Sequence, residues 1–166
     1  MLEKITLKVK NISDNETPKF ACFGDSGFDL RAWVREEDKN SQLDELDNKY
    51  FIELKPLERR LIHTGLYFSI PENTEMQVRP RSGCALKQGL SVCNTPGTID
   101  EKYTNEVCII SINLSDKVIK ITSGDRIAQG VIMPVYNSRN LQIVTTDNIE
   151  DNEYRGKNGF GHSGIK

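Results

Sequence analysis

Apolar residues recur along this chain in short stretches, never in long stripes. Ile5, Leu7 and Val9 alternate with polar residues, as do Ile110, Ile112 and Leu114, and a period of two is that of a strand with one buried face. Runs of strand length follow at intervals: "YFIEL", "LIHTGLYFSI", "EMQVRP", "LSVCN", "NEVCIISINL", "KVIKI", "GVIMPV" and "LQIVTT". Each is bounded by Gly, Pro, Asn, Asp or Ser, the residues that favour turns. A 3.6-residue period is sustained nowhere, and "GCALKQGL" is the best place for one short helix. The pattern predicts an all-β sandwich, jelly roll or barrel.

Two segments break this rhythm. Residues 35–49, "REEDKNSQLDELDNK", carry six acids, three bases and few large apolar groups, which predicts a solvated loop or short surface helix. The glycine-rich "YRGKNGFGHSGIK" predicts a mobile tail. The chain therefore divides into a β domain over 1–152, interrupted by the 35–49 insert, and an arm over 153–166. At 166 residues one domain buries about 70% of the surface its unfolded form exposes. Lys and Arg total 22 against 24 acids, a net charge of -2, so no basic field exists to hold a nucleic-acid backbone. An anionic ligand must instead be met by local arginines. "MLEKITLKVK" lacks a continuous apolar core and no run approaches membrane-spanning length, so a soluble cytoplasmic protein without a signal peptide or membrane partner is expected. Cys22, Cys84, Cys93 and Cys108 form no CxxC pair and have no histidine near them in sequence. They read as small buried thiols, and zinc is not expected.

Several segments carry chemistry. "GDSGFDLRA", residues 24–32, contains the Gly-Asp-Ser-Gly of trypsin-type proteases. A serine nucleophile there needs a histidine base, yet both His63 and His162 follow Ser26, and the nucleophile-elbow spacing is absent. The protease reading is therefore set aside, and what else the segment serves stays open at this point. "GFGHSG", residues 159–164, matches GxGxxG, but only Ile165 and Lys166 follow, too few for the helix a dinucleotide fold requires. No GK[ST] closes a Walker loop. Glycine N–H groups, the Arg155 fork, the Ser163 hydroxyl and the Phe160 ring instead suit a phosphate-binding lid. "RPRSGCALKQG", residues 79–89, places Arg81 and Ser82 before Gly83 at a helix start, the elements of an anion site. "NTPGTIDEKYTNE", residues 94–106, reads as a hairpin with Asp100 and Tyr103 on its returning strand, able to present backbone groups to a flat ligand. "GDRIAQG", residues 124–130, reads as a turn with an Asp125–Arg126 salt bridge beside Gln129.

In order, "DSGFDLRA", "RPRSGCALKQG", "NTPGTIDEKYTNE", "GDRIAQGVIMP" and "RGKNGFGHSG" resemble the five motifs of the trimeric dUTP pyrophosphatase (dUTPase) family. The match spans residues 25–164. It implies an all-β fold, a dUTPase-like β jelly roll or β-clip with one short helix and a C-terminal arm. It also implies a homotrimer whose sites each draw on all three subunits, the arm closing over a neighbour's pocket. The implied reaction is hydrolysis of dUTP to dUMP and pyrophosphate by water attack on the α-phosphorus, limiting uracil in DNA and supplying dUMP for dTMP synthesis. By this resemblance Asp29 matches the acid that holds waters of the Mg²⁺ bound by the triphosphate, while Gly27 shapes its loop. Asp100 matches the aspartate that orients and deprotonates the attacking water, and Gln129 the glutamine that also holds it. Arg81 and Ser82, with Gly83 beside them, match the phosphate-binding pair that steadies charge on the α-phosphate. Asn94 and the hairpin backbone at Gly97 and Ile99 read the uracil edge, and Tyr103 packs on the deoxyribose. Arg155 holds the γ-phosphate, Phe160 stacks over uracil, and Gly161, His162 and Ser163 complete the clamp. Three positions depart from the family pattern. Asn105 stands where glycine is usual, and asparagine tolerates a left-handed backbone. His162 replaces a small hydroxyl residue, and the 35–49 insert is longer than the family's. Two alternatives stand beside this reading. A dCTP deaminase-type enzyme of the same fold needs a glutamate base, where this chain has Asp100. A catalytically silent nucleotide-sensing or partner-binding protein would bind dUTP without turnover.

Overall fold

Turn residues cut the chain into short extended segments in the computed structural model, which describes residues 4–149. In chain order these are β1 (Lys8–Asn11), β2 (Gly27–Arg31), β3 (Gln42–Asp44), β4 (Lys49–Leu54), β5 (Arg59–Ile62), β6 (Leu66–Ser69) and β7 (Thr74–Pro80). Helix α1 (Ser82–Gln88), the only helix among the described residues, follows, then β8 (Leu90–Val92), β9 (Gly97–Ile99), β10 (Ile109–Asn113), β11 (Ile119–Thr122) and β12 (Arg126–Pro134). They pair into four open sheets, β1-β6, β5-β10-β8, β11-β4-β3 and β2-β12-β7-β9, all antiparallel. The arrangement is jelly-roll-like, with no closed barrel among the described residues. The helix falls where the sequence predicts it and ends at Gly89, whose φ of 71° is left-handed, a conformation glycine adopts without steric cost.

The inward faces meet in one core. Phe28 and Leu30 of β2, Met76 and Val78 of β7, Ile109 of β10, Ile121 of β11 and Ile127 of β12 are all buried in it. Each such side chain contributes about 1.5–3 kcal/mol relative to exposure. Alternation then decides which residues of β2 and β7 face away: Asp29 lies between buried Phe28 and Leu30, and Arg79 follows buried Val78.

The phase of β10 is the reverse of the one the apolar pattern predicts. Ile109, Ser111 and Asn113 are buried, while Ile110 and Leu114 are exposed. The inversion is tolerated because the Asn113 amide is fully employed. Its Nδ2 donates to Leu54 O (2.9 Å) and Lys117 O (2.7 Å), and its Oδ1 accepts from Ser115 N and Oγ (2.8 Å each), so burial leaves this amide satisfied, while Ser111 Oγ on the same face is buried without a partner among the described residues. Ile110 is opposite Leu61 of β5, and together they make an apolar patch on the outer face.

Other expectations are corrected in detail. At the N-terminus Leu7 and Val9 pack against the core, but Ile5 is exposed. The 35–49 insert is neither plain loop nor helix, since turns in it flank β3, which pairs with β4. Cys22 and Cys93 are exposed and Cys84 and Cys108 half-buried, all free thiols, because each lies in a bend or turn, on the helix surface or just ahead of a strand. The described residues divide into two units, 4–135 and 136–149. In the second, a turn brings the backbone N–H groups of Asn140 and Leu141 to Asn137 O at 3.0 and 2.8 Å. "LQIVTT", predicted as a strand, is irregular and exposes Ile143 and Val144, having no ladder partner among the described residues. The 152/153 boundary lies outside them. Among the described residues no helix is long and apolar enough to cross a membrane.

Candidate active site

The residues singled out by sequence form two groups on the β2-β12-β7-β9 sheet. In the first, β2 and β12 set Asp29 opposite Gln129, and Gln129 is in turn opposite Arg79 of β7. Arg81, just past the end of β7, reaches back: its Nε donates to Asp29 Oδ1 at 2.6 Å and its Nη1 to Arg126 O at 3.2 Å. Arg126 Nη1 donates to Asp29 Oδ2 at 3.2 Å. The predicted Asp125–Arg126 bridge is therefore replaced by Arg126–Asp29. Asp125 Oδ2 instead accepts from Thr122 N at 2.9 Å and closes the turn. Asp29 thus fixes two guanidiniums side by side, and among the described residues Arg81 Nη2 has no protein acceptor, leaving that edge for an anion.

Gln129 Nε2 donates to Pro80 O at 2.9 Å, and Oε1 has no donor among the described residues. A Cβ on Gly27 would stand 2.7 Å from that Oε1. Gly27 does not shape a loop, as expected from sequence, because it opens a strand and has no positive φ. It makes room for the Gln129 amide. Gly27→Ala is expected to displace that amide and lower turnover about 10–100-fold while the core stays folded, as read by steady-state kinetics beside a thermal melt. Ser82 begins α1, a seven-residue helix with no buried residue. Among the described residues its hydroxyl has no protein partner. So short a helix aligns few peptide dipoles, so the charge here comes from Arg81 and Arg126. A Cβ on Gly83 would meet nothing within 4 Å, so nothing within this chain demands glycine there.

In the second group, Asn94, Gly97, Ile99, Asp100 and Tyr103 line one crevice of about 520 Å³. β9 sets Gly97 opposite Val78 and Ile99 opposite Met76. A Cβ on Gly97 would come 3.2 Å from Asn94 Nδ2, so glycine lets that amide lie close over the strand. The expected returning strand is a turn: Tyr103 N donates to Asp100 O at 3.0 Å, and Tyr103 Oη to Glu106 O at 2.9 Å. Asn105 does not take the left-handed conformation expected of it; its Oδ1 accepts from Glu106 N at 2.8 Å instead.

Sequence reasoning missed a third cluster at the edge of this crevice. Glu106 Oε1 accepts from Thr64 N (3.0 Å) and Gly65 N (2.7 Å), while Oε2 lies 2.9 Å from His63 Nδ1. Burial raises the Glu106 carboxyl, but the Gly65 N–H and the His63 ring outweigh it and hold the group below its usual range. Burial, then the Glu106 charge, push the Cys108 thiol up to about 11. The two strands' register brings them together: Ile109 is opposite Ile62, so Cys108 and His63, one residue outward on each, fall side by side.

The two main groups do not meet within one chain. Asp100 follows Ile99 and so lies level with Glu75, whereas Arg81 follows Pro80. Six strand positions separate those levels, about 20 Å at the usual rise per residue. Gln129, level with Arg79, lies two strands across and about 13 Å along from Asp100. Arg155, Phe160, Gly161, His162 and Ser163 lie outside the described residues.

These features define a class: a jelly-roll-like β protein with an arginine-flanked carboxylate and, apart from it, an amide-lined crevice of nucleoside size. The dUTPase family model matches residues 44–164. Relatives called deoxyuridine 5'-triphosphate nucleotidohydrolase from Finegoldia magna and Fusobacterium nucleatum are 40% and 38% identical. They cover 95% and 98% of this chain, and 98% and 99% of their own lengths. Among solved structures, a Staphylococcus bacteriophage 80alpha dUTPase variant with dUpNHpp superposes with a TM-score of 0.78 at 24% identity, covering 98% of this chain and all of that one. A phage phi11 dUTPase, described for coordination of a structural Mg(II) ion, superposes with a TM-score of 0.70 at 21% identity, covering 89% of this chain and all of its own. The chain belongs to the dUTPase family.

Proposed function

We propose that this protein hydrolyses dUTP to dUMP and pyrophosphate, with water attacking the α-phosphorus, and that it does so as a homotrimer with shared sites. The observation that carries the reading is the separation just described. The candidate base, Asp100, and the candidate phosphate ligands, Arg81 and Gln129, are too far apart in one chain to act on one substrate. A neighbour must therefore bring its Asp100 crevice to this chain's Arg81. The exposed Ile110 and Leu61, which line the crevice, support the assembly, since an apolar patch there is what a subunit contact requires.

In the joined site, Asp100 accepts the proton of the attacking water and Gln129 Oε1 holds that water in line. Arg81 Nη2 and the Ser82 hydroxyl meet the charge that spreads over the α-phosphate, the largest single source of stabilisation in such reactions. Asn94 and the backbone of β9 pair with the uracil edge. Tyr103, its hydroxyl held by Glu106 O, gives the sugar a flat wall. The arm residues Arg155, Phe160 and Ser163 close over the triphosphate and base. Both Asp29 oxygens already accept from guanidiniums, so the carboxylate fits a role toward Mg²⁺ through a metal-bound water, not as a direct ligand; Mg²⁺ characteristically keeps several waters. When bound, Mg²⁺ neutralises triphosphate charge.

The purified protein is expected to release pyrophosphate from dUTP in Mg²⁺, to leave dTTP and UTP largely intact, and to sediment as a trimer. Ammonia release from dCTP without pyrophosphate would instead establish a deaminase, and tight dUTP binding without turnover a nucleotide sensor.

A further inference from the structure

We propose that His63, Glu106 and Cys108 form a binding site for a borderline divalent transition metal of the zinc type, separate from the Asp29 region. The three donor atoms, one imidazole nitrogen, one carboxylate oxygen and one sulfur, lie within 4.8 Å of one another. His63 Nδ1 is 2.9 Å from Glu106 Oε2 and 3.6 Å from Cys108 Sγ. Ligands about 2.0–2.3 Å from a tetrahedral zinc stand about 3.3–3.7 Å apart, so small side-chain rotations suffice.

The arrangement is not that of a cysteine nucleophile. A Cys-His-acid triad uses both ring nitrogens, one toward the sulfur and one toward the acid. Here the sulfur and the carboxylate converge on the same nitrogen, Nδ1, which is the convergence a single cation needs. The carboxylate is also oriented for the task. Its Oε1 is held by the backbone N–H groups of Thr64 and Gly65, which fixes Oε2 toward the cluster in the way hydrogen-bonded supports fix metal ligands. On binding, the Cys108 thiol proton leaves to solvent and the thiolate donates an electron pair to the metal, while the neutral His63 ring keeps its single proton on Nε2 and donates the Nδ1 lone pair. A sulfur–nitrogen–oxygen set favours zinc, cobalt(II) or nickel over Mg²⁺, which takes oxygen. A fourth position toward the crevice is left for water. Occupancy reaches the nucleoside crevice through Glu106, whose carbonyl holds the Tyr103 hydroxyl. That last consequence alone rests on the proposed dUTP reading.

Cobalt(II) titration of the full-length, metal-stripped protein tests the site without reference to catalysis. One equivalent per chain is expected to produce a thiolate-to-cobalt charge-transfer band and the intense visible bands of four-coordinate cobalt. Equimolar zinc should remove both, and excess Mg²⁺ should not. Cys108→Ser should abolish the charge-transfer band, and Glu106→Gln or His63→Asn should weaken affinity about tenfold or more. A variant with Cys22, Cys84 and Cys93 all changed to Ser should keep the band. No band in the parent protein, or a band surviving Cys108→Ser, would overturn the assignment. An intact band in a protein inactive on dUTP would leave the metal site standing and remove only the functional reading.

Discussion

Asp100→Asn is expected to slow dUTP turnover about 10²–10⁴-fold, the usual scale for loss of a general base, with little change in KM. Asparagine keeps the size and one acceptor of the side chain but cannot take a proton. The local structure has no reason to move. Asp100 is exposed, has no ion-pair partner among the described residues, and holds the following turn through its backbone carbonyl, which accepts from Tyr103 N. Single-turnover kinetics beside equilibrium binding of a non-hydrolysable dUTP analogue separates the two effects. Undiminished turnover would take Asp100 out of the chemistry.

The second large effect is Arg81→Lys, expected to lower kcat about 10²–10³-fold, the scale of removing one donor from a site of developing charge. The substitution keeps the charge but loses the geometry. Guanidinium spans Asp29 Oδ1, Arg126 O and an open edge at once, whereas an ammonium offers a point. Asp29 would then hold Arg126 alone. Each variant is inactive for a reason in a different half of the joined site, and this yields a direct test of sharing. Co-expressed Asp100→Asn and Arg81→Lys chains are expected to recover about a quarter of the parent rate, because random trimers pair an intact Asp100 with an intact Arg81 at about that fraction of interfaces. No recovery in confirmed mixed trimers would place both residues in one chain's site, against the strand register.

Much of this was legible one-dimensionally because strand chemistry and turn chemistry are local. The short helix appears at 82–88 and the residues bounding the apolar runs do end the strands, whereas β2, in which Asp29 alternates with buried Phe28 and Leu30, stands where a loop is expected. What failed were inferences that depended on a neighbour. The apolar pattern gives β10 the reverse phase because Asn113, a surface residue by type, makes four hydrogen bonds to Leu54, Ser115 and Lys117 and is buried. Arg126 was assigned to its sequence neighbour Asp125, while folding offers Asp29 across the β2–β12 ladder. The cysteines, expected as buried thiols with no histidine near them, are exposed or half-buried, and the β5–β10 register sets His63 beside Cys108.

By itself the sequence determined the class of fold, the residue types available for water activation and phosphate binding, and the order of motifs that marks the family, because each is written in spacing of a few residues. The tertiary structure alone decided which of those residues meet. Strand register sets contacts between positions dozens of residues apart and keeps others on the same sheet out of reach, so it joined Asp29 to Arg81 and Arg126, gathered His63, Glu106 and Cys108, and held Asp100 some six strand positions from the arginine it is proposed to serve.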